Sequence, residues 1–148
     1  MHESYFYVKQ RCIGYSVQIG CGSFTFDFVS VNTEIDPTFK IKNSTILIDD
    51  ITQTSLPLNS FDTVLLLNVL EHCPDPFKVM KGCISIMKEH GKLIISVPSI
   101  NVRPHLDNDY WRFLPMGLDE ISKPLKRIEN FEYYRAGSGI YLRSVYQK

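Results

Sequence analysis

Short apolar runs rich in β-branched residues recur along the chain at Ser16 to Ile19, Val29 to Thr33, Thr45 to Ile48, Thr63 to Leu67 and Lys92 to Val97. Each is too short for a helix and is followed by Gly, Asp, Asn or Pro, so each reads as a buried strand. The last two are almost continuously apolar, the pattern of parallel strands covered on both faces. Between them Asp75 can cap a helix and Pro76 fits its first turn. Phe77, Met80, Ile84 and Met87 recur at three- and four-residue spacing, and Gly91 supplies a stop. Strand, helix and strand make a βαβ unit, the building block of a doubly wound α/β sheet. A short helix is expected after Pro115, ending at Pro124. In the tail, Phe131 to Ala136 and Gly139 to Tyr146 are aromatic strand-like runs parted by a Gly-rich turn, which reads as an antiparallel pair. The expected fold class is therefore α/β, with a doubly wound, mostly parallel sheet and an antiparallel C-terminal strand pair, in a small version.

Composition sharpens this into one domain over residues 1–148. The chain is 44% hydrophobic and 22% charged, with no low-complexity segment. Sixteen Lys and Arg against sixteen Asp and Glu argue against a protein that holds nucleic acid through overall positive charge. Cys12, Cys21, Cys73 and Cys83 have neither paired metal-ligand spacing nor a disulfide framework, so no metal site is expected. No run approaches the ~18 apolar residues of a membrane span, and the start carries no apolar signal region. A cytoplasmic protein without a membrane span is the expectation. Charge is nevertheless uneven. Residues 20–76 hold eight acids and two bases, whereas residues 77–148 hold seven acids and twelve bases, so a ligand held by the first stretch meets a negative surround.

The chemistry begins at Val17-Gln18-Ile19-Gly20-Cys21-Gly22-Ser23, a strand running into a Gly-x-Gly turn through which backbone can approach a ligand closely. A plain strand-ending turn is the other reading. Glu34 and Asp36 follow the next strand, where such folds use an acid to accept hydrogen bonds from ribose hydroxyls; a solvated turn carboxylate is the alternative. Asp50 closes the third strand ahead of Ile51. It can take an adenine amino group while Ile51 packs on the ring, or simply cap a turn.

Leu56-Pro57, Ser60-Phe61-Asp62, Leu70-Glu71-His72, Asp75-Pro76 and Gly91-Lys92-Leu93-Ile94-Ile95-Ser96-Val97-Pro98 follow in order. From about Tyr15 to Ser99 this combination resembles the class I S-adenosylmethionine-dependent methyltransferases, in a type 11-like form. Asp109-Tyr110-Trp111-Arg112-Phe113 with Leu114-Pro115 resembles a signature of a subgroup associated with small-molecule or glycan modification. The resemblance implies a Rossmann-like methyltransferase fold, S-adenosylmethionine as cofactor, and a small-molecule or glycan-type methyl acceptor. It further implies cofactor binding by Gln18, Gly20, Cys21 and Gly22 at the methionine part, Glu34 with Ile35 at the ribose, Asp50 with Ile51 at the adenine, and Asn68 on the far side. The acid-rich surround independently suits a sulfonium better than a dinucleotide's two phosphates. Two positions depart from the family: Gln18 stands where an acid is usual, and Phe24 where a third glycine is usual. The segment between Gly22 and Glu34 is also short, leaving Phe24 to Phe28 little room for a helix.

Methyl transfer is an in-line displacement that needs alignment in a dry pocket rather than a nucleophilic residue. A hydroxyl acceptor also needs a base in the loops after the fourth and fifth strands. That selects His72, His105, Asp107, Asp109 and Tyr110, with His105 first for its polar loop and its imidazole, and His72 more in keeping with a structural tie. Arg112 can pair an acidic substrate or Asp109, and Trp111 and Phe113 read as core. The alternative function is a degenerate methyltransferase-like domain with a binding or assembly role; a dinucleotide-binding domain is disfavoured by charge. With so few residues ahead of the first strand, one sheet face is expected to need cover. A homodimer, a partner chain or local packing of Tyr5 to Val8 with Phe24, Phe26 and Phe28 would each supply it.

Overall fold

The computed structural model describes the chain apart from residues 1, 41–44, 101–102, 105–106 and 138, and gives residues 2 and 3 without their side chains. Among the described residues eight strands form one sheet: β1 (Ser16–Ile19), β2 (Val31–Glu34), β3 (Ile46–Ile48), β4 (Phe61–Leu67), β5 (Met87–Ile100), β6 (Lys126–Arg127), β7 (Glu132–Ala136) and β8 (Gly139–Gln147). Their order is β3-β2-β1-β4-β5-β8, with both β6 and β7 paired along the outer edge of β8. The first five run parallel, and β8 lies antiparallel to β5. The expected doubly wound architecture with a closing antiparallel pair is what the chain adopts. From β1 the chain winds outward to β3 and then returns to place β4 on the other side of β1. The crevice beyond the ends of β1 and β4 is therefore the topological switch point, where open α/β sheets bind ligands.

The two sheet faces are covered by different means. On one, helices α2 (Pro76–Ile86) and α3 (Pro115–Ile121) pack over Val17, Ile19, Val64, Leu66, Leu93 and Ile95. On the other, Tyr7 and Val8 of helix α1 (His2–Arg11), together with Phe26, close over Leu65, Ile94 and Val145. The alternation of Val64 and Leu66 against Leu65 follows from the two-residue strand period. The N-terminal helix and the Phe-rich loop thus supply local cover for this second face. No helix forms between β1 and β2, as the short Gly22 to Glu34 interval requires.

Helix α1 and strand β6 were not expected, and α2 differs from its sequence reading. Asp75 caps α2 as foreseen, its carboxylate accepting from the Lys78 amide at 3.1 Å. The helix ends at Ile86 rather than running to Gly91, because Met87 already belongs to β5. The carbonyls of Ser85 and Ile86 accept the amides of Asn59 and Ser60, and Lys148 caps the Ile84 and Met87 carbonyls. Its buried face is Val79, Met80, Cys83 and Ile86, while Phe77 is exposed. Gly82 sets that rotation. A Cβ there would lie 2.0 Å from the Ile51 carbonyl oxygen, so this side of the helix sits directly on the 3-10 turn at Ile51–Gln53.

Candidate active site

The Gly-x-Gly turn leaves β1 with Gly20 and Gly22 at φ of +60° and +54°, conformations that L side chains rarely adopt. A Cβ on Gly20 would strike the Val69 side chain at 2.9 Å, whereas nothing lies within 4 Å of one on Gly22. Gly20 is thus needed for packing, and Gly22 faces open space. Between them Cys21 is buried, its amide donating to the Thr33 carbonyl, and burial raises its thiol to about 11. It is an inert thiol inside the loop.

Glu34 holds the turn from the neighbouring strand. One carboxylate oxygen accepts the Gly22 amide at 2.7 Å and the other the Ile35 amide at 2.9 Å. At 7% exposure it is not the solvated turn carboxylate that was the alternative. Ile35 beside it is 62% exposed, an apolar surface with no cover. Asp50 caps the 3-10 turn, accepting from the Thr52 amide and hydroxyl, and these hydrogen bonds lower its pKa. Ile51 is 6% exposed and packs in the core against α2.

A cleft of about 260 Å³ opens at the switch point, walled by Gln18, Cys21, Phe24, Asn68, Tyr134 and Arg143. Gln18 is 4% exposed; its side-chain nitrogen donates to the Phe24 carbonyl at 3.1 Å, and its Oε1 has no hydrogen-bond partner among the described residues. Asn68, at φ +55°, sits at the tip of β4, where its Oδ1 accepts from the Ser96 hydroxyl; Ser96 in turn shares a 2.8 Å hydrogen bond with the Tyr134 hydroxyl. The cleft therefore brings together Gln18, Cys21 and Asn68 from the sequence reading. Gly20, Gly22, Glu34, Ile35, Asp50 and Ile51 do not line it; Glu34 bears on the cleft only by holding the Gly22 amide of the turn next to Cys21.

The proposed proton acceptors fare differently. His105 lies outside the described residues. His72 Nδ1 is 3.2 Å from the Asn108 carbonyl oxygen and Nε2 is 3.9 Å from the Glu71 carboxylate. The same turn receives the Tyr110 amide on the Glu71 carbonyl and the Trp111 indole N–H on the Cys73 carbonyl. His72 thus ties the end of β4 to the 108–111 segment. Arg112 pairs with Asp109, Phe113 is core, and Trp111 lies partly at the surface rather than in the core.

Two charged residues were missed. Glu71 is 1% exposed, and burial, with Asp109 adding to it, raises its carboxyl to about 8. Arg143 is 6% exposed inside β8, flanked by the rings of Tyr7 and Tyr134. The signal for it was a lone charge within an otherwise strand-like apolar run, a position where an arginine is seldom found without purpose.

Comparison with known proteins bears on this geometry. A family model described as a methyltransferase domain matches residues 17–95, more than half of the chain. A ubiquinone biosynthesis O-methyltransferase from Xanthomonas euvesicatoria pv. vesicatoria is 33% identical over 91 residues, which are 58% of this chain and 38% of that protein. The chain thus spans less than half the length of this relative. The N-methyltransferase NodS from Bradyrhizobium japonicum, solved with S-adenosyl-L-homocysteine, superposes with a TM-score of 0.71 at 13% identity, covering 99% of this chain and 86% of its own. The [4+2]-cyclase SpnF gives 0.76 at 11% identity, covering 99% and 80%. At such identities the structural likeness establishes the fold.

Proposed function

We propose, from the premise that this chain belongs to the methyltransferase domain family, that it binds S-adenosylmethionine at the switch-point cleft and transfers the methyl group in line to a small-molecule acceptor. The observation that carries the reading is the buried, unpartnered Oε1 of Gln18 on the cleft wall, beside a glycine turn with room above Gly22. A buried acceptor without a donor costs roughly 1–3 kcal/mol, and the methionine ammonium of the cofactor is a donor of suitable charge. When bound, the cofactor supplies an electrophilic sulfonium methyl.

The chain's own groups divide the remaining work. Gln18 holds the ammonium, and Gly20, Cys21 and Gly22 present backbone to the methionine part. Glu34 accepts the Gly22, Ile35 and Asp36 amides and keeps a lone pair on Oε2 for a ribose hydroxyl. The exposed Ile35 packs against the adenine, whose amino group Asp50 can accept, and Asn68 closes the far side. The eight acids of residues 20–76 favour a cation over phosphate. For a hydroxyl acceptor, His105 or His72 takes the proton. The aromatic side chains of the cleft wall, Phe24 and Tyr134 among them, favour alignment over any covalent role for the protein.

Calorimetry with S-adenosylmethionine and S-adenosylhomocysteine tests the reading. Binding in the micromolar range or weaker is expected, tightened by Gln18→Glu because a carboxylate pairs with the ammonium better than an amide. No detectable binding by a folded protein, with or without that substitution, refutes it. A second reading, a non-catalytic binding module, is favoured by Phe24, whose ring stands edge-on to Phe26 at 4.9 Å in the cleft wall. The fold does not decide between them, since a cyclase shares it. If only Phe24→Gly binds cofactor, the module reading prevails.

A further inference from the structure

Arg143 stands in an unusual position. Across the sheet, Leu67, Ser96, Arg143 and Glu132 are paired neighbours in one row at the ligand-binding end of β4 and β5. Gln18 belongs to the next row on the same face, two residues along, with Leu65, Ile94 and Val145. Three inter-strand steps separate β1 from β8, roughly 14 Å at the usual 4.7–4.9 Å spacing. The guanidinium lies 3.9 Å from the centre of the Tyr7 ring and 4.5 Å from that of Tyr134. Its Nη2 donates to Glu132 on β7, drawing the group away from β1. Nε and Nη1 are buried with no hydrogen-bond partner among the described residues. A guanidinium carries five N–H donors and stays charged, so three of its donors are left without an acceptor.

The chain contains a second, more open cleft of about 780 Å³ between α1 and β7, with Arg11 and Arg135 on its walls. Tyr7, Tyr134 and Arg143 are shared by the two clefts. The stacked guanidinium is therefore the boundary between the proposed cofactor cleft and an open groove whose basic groups outnumber its acid, Glu132.

Resting on the methyltransferase reading, we propose that Arg143 determines acceptor specificity by binding a carboxylate of the methyl acceptor, which enters through the α1–β7 groove with its apolar or aromatic body against Tyr7 and Tyr134. A carboxylate can accept a charge-assisted hydrogen bond from Nη1, whose two N–H groups have no acceptor among the described residues, and the aromatic residues that flank the guanidinium also suit a ring attached to that carboxylate. The cofactor's own carboxylate is the competing source of an anion. It is bonded to the carbon that bears the ammonium, which places it at the Gln18 end of the cleft rather than at β8.

The test uses phenylacetate as the probe and phenylacetamide as its neutral counterpart, titrated into the full chain by calorimetry, alongside S-adenosylhomocysteine. Wild type is expected to prefer phenylacetate at least tenfold. Arg143→Met should abolish that preference, and Arg143→Lys, which keeps the charge but loses the planar guanidinium held against the Tyr7 and Tyr134 rings, should reduce it several-fold. Both variants should bind S-adenosylhomocysteine within about twofold of wild type. Equal binding of the two probes by wild type overturns the proposal, and so does a preference that survives Arg143→Met. A tenfold loss of S-adenosylhomocysteine affinity in either variant assigns Arg143 to the cofactor carboxylate and likewise overturns it. Should Arg143→Met not fold, wild type and Arg143→Lys decide the matter. A wild type that prefers phenylacetate yet binds no S-adenosylhomocysteine supports the anion site while overturning the cofactor reading.

Discussion

Glu34 shows how one side chain can serve both a loop and a ligand. Its carboxylate accepts the Gly22, Ile35 and Asp36 amides, so Glu34→Ala removes three charge-assisted hydrogen bonds from the loop as well as the proposed ribose acceptor. Hydrogen bonds to charged groups contribute roughly 1.5–3 kcal/mol, so S-adenosylhomocysteine affinity should fall about ten- to a hundred-fold. Glu34→Gln, which keeps an oxygen acceptor for the turn, should recover folding stability more fully than affinity; a variant that binds as well as wild type removes Glu34 from the site. Glu71 poses a different problem, a carboxyl raised from 4.5 to about 8 by burial. A folded-state pKa above the unfolded value means that the folded protein binds the proton more tightly. Its contribution to stability is complete below pH 4.5, declines as pH rises and is gone above about 8, at up to about 1.4 kcal/mol per pH unit. Urea midpoints of Glu71→Gln and wild type should therefore diverge from pH 5 to 8 in favour of the variant. A constant difference across that range would show that Glu71 is ionised throughout.

At the scale of elements, Gly82 decides how α2 meets the rest of the fold. Replacing glycine by alanine in a helix ordinarily gains about 1 kcal/mol. Here the added carbon would lie 2.0 Å from the Ile51 carbonyl oxygen, a backbone atom that cannot swing aside. Overpacking costs typically about 1–3 kcal/mol and should win, so the urea midpoint of Gly82→Ala should fall; an unchanged midpoint would mean that the Ile51 turn yields. The same contact explains which parts of the fold could be read from sequence. Central strands declare themselves by continuous apolarity, and β1 matches its expected limits throughout. In α2, however, Phe77, Val79, Met80, Cys83, Ile84 and Ile86 surround the helix, leaving periodicity ambiguous; the buried face was chosen by a glycine contact distant in sequence. Helix α1 was hidden because Tyr5, Phe6, Tyr7 and Val8 form one aromatic-rich run with neither a helical nor a strand period, and only its packing on Leu65, Ile94 and Val145 makes it a cover. Site residues divide similarly. The glycine turn and Asn68 were legible because they sit at strand ends in chain order. Arg143 was not, because its neighbours Tyr7 and Tyr134 come from the opposite end of the chain and from an adjacent strand.

For the whole molecule, the question is whether a sheet with so little helix on one face stands alone. The residues that close that face are inward-facing. Val8 is 1% exposed and Phe26 4%, whereas Phe6 and Phe24 are 55% and 40% exposed. Phe26 therefore reports on folding, and Phe6 and Phe24 report on association. If cover is local, Val8→Asp places an unpaired carboxylate against Leu65, Ile94 and Val145 and should destabilise by about 3 kcal/mol or more, while Phe6→Asp should change stability by less than about 0.5 kcal/mol. The mass from light scattering should be that of one chain at micromolar concentration, for wild type and Phe6→Asp alike. A homodimer built on this face would behave otherwise. Its exposed aromatics would become interface core, where truncation of a large side chain commonly costs more than 1 kcal/mol of association free energy. Phe6→Asp or Phe24→Asp would then halve the scattering mass without lowering the stability of the released chain. A dimeric wild type that either substitution splits would make the N-terminal face an interface, and would require the acceptor groove between α1 and β7 to open beside a second copy of the chain.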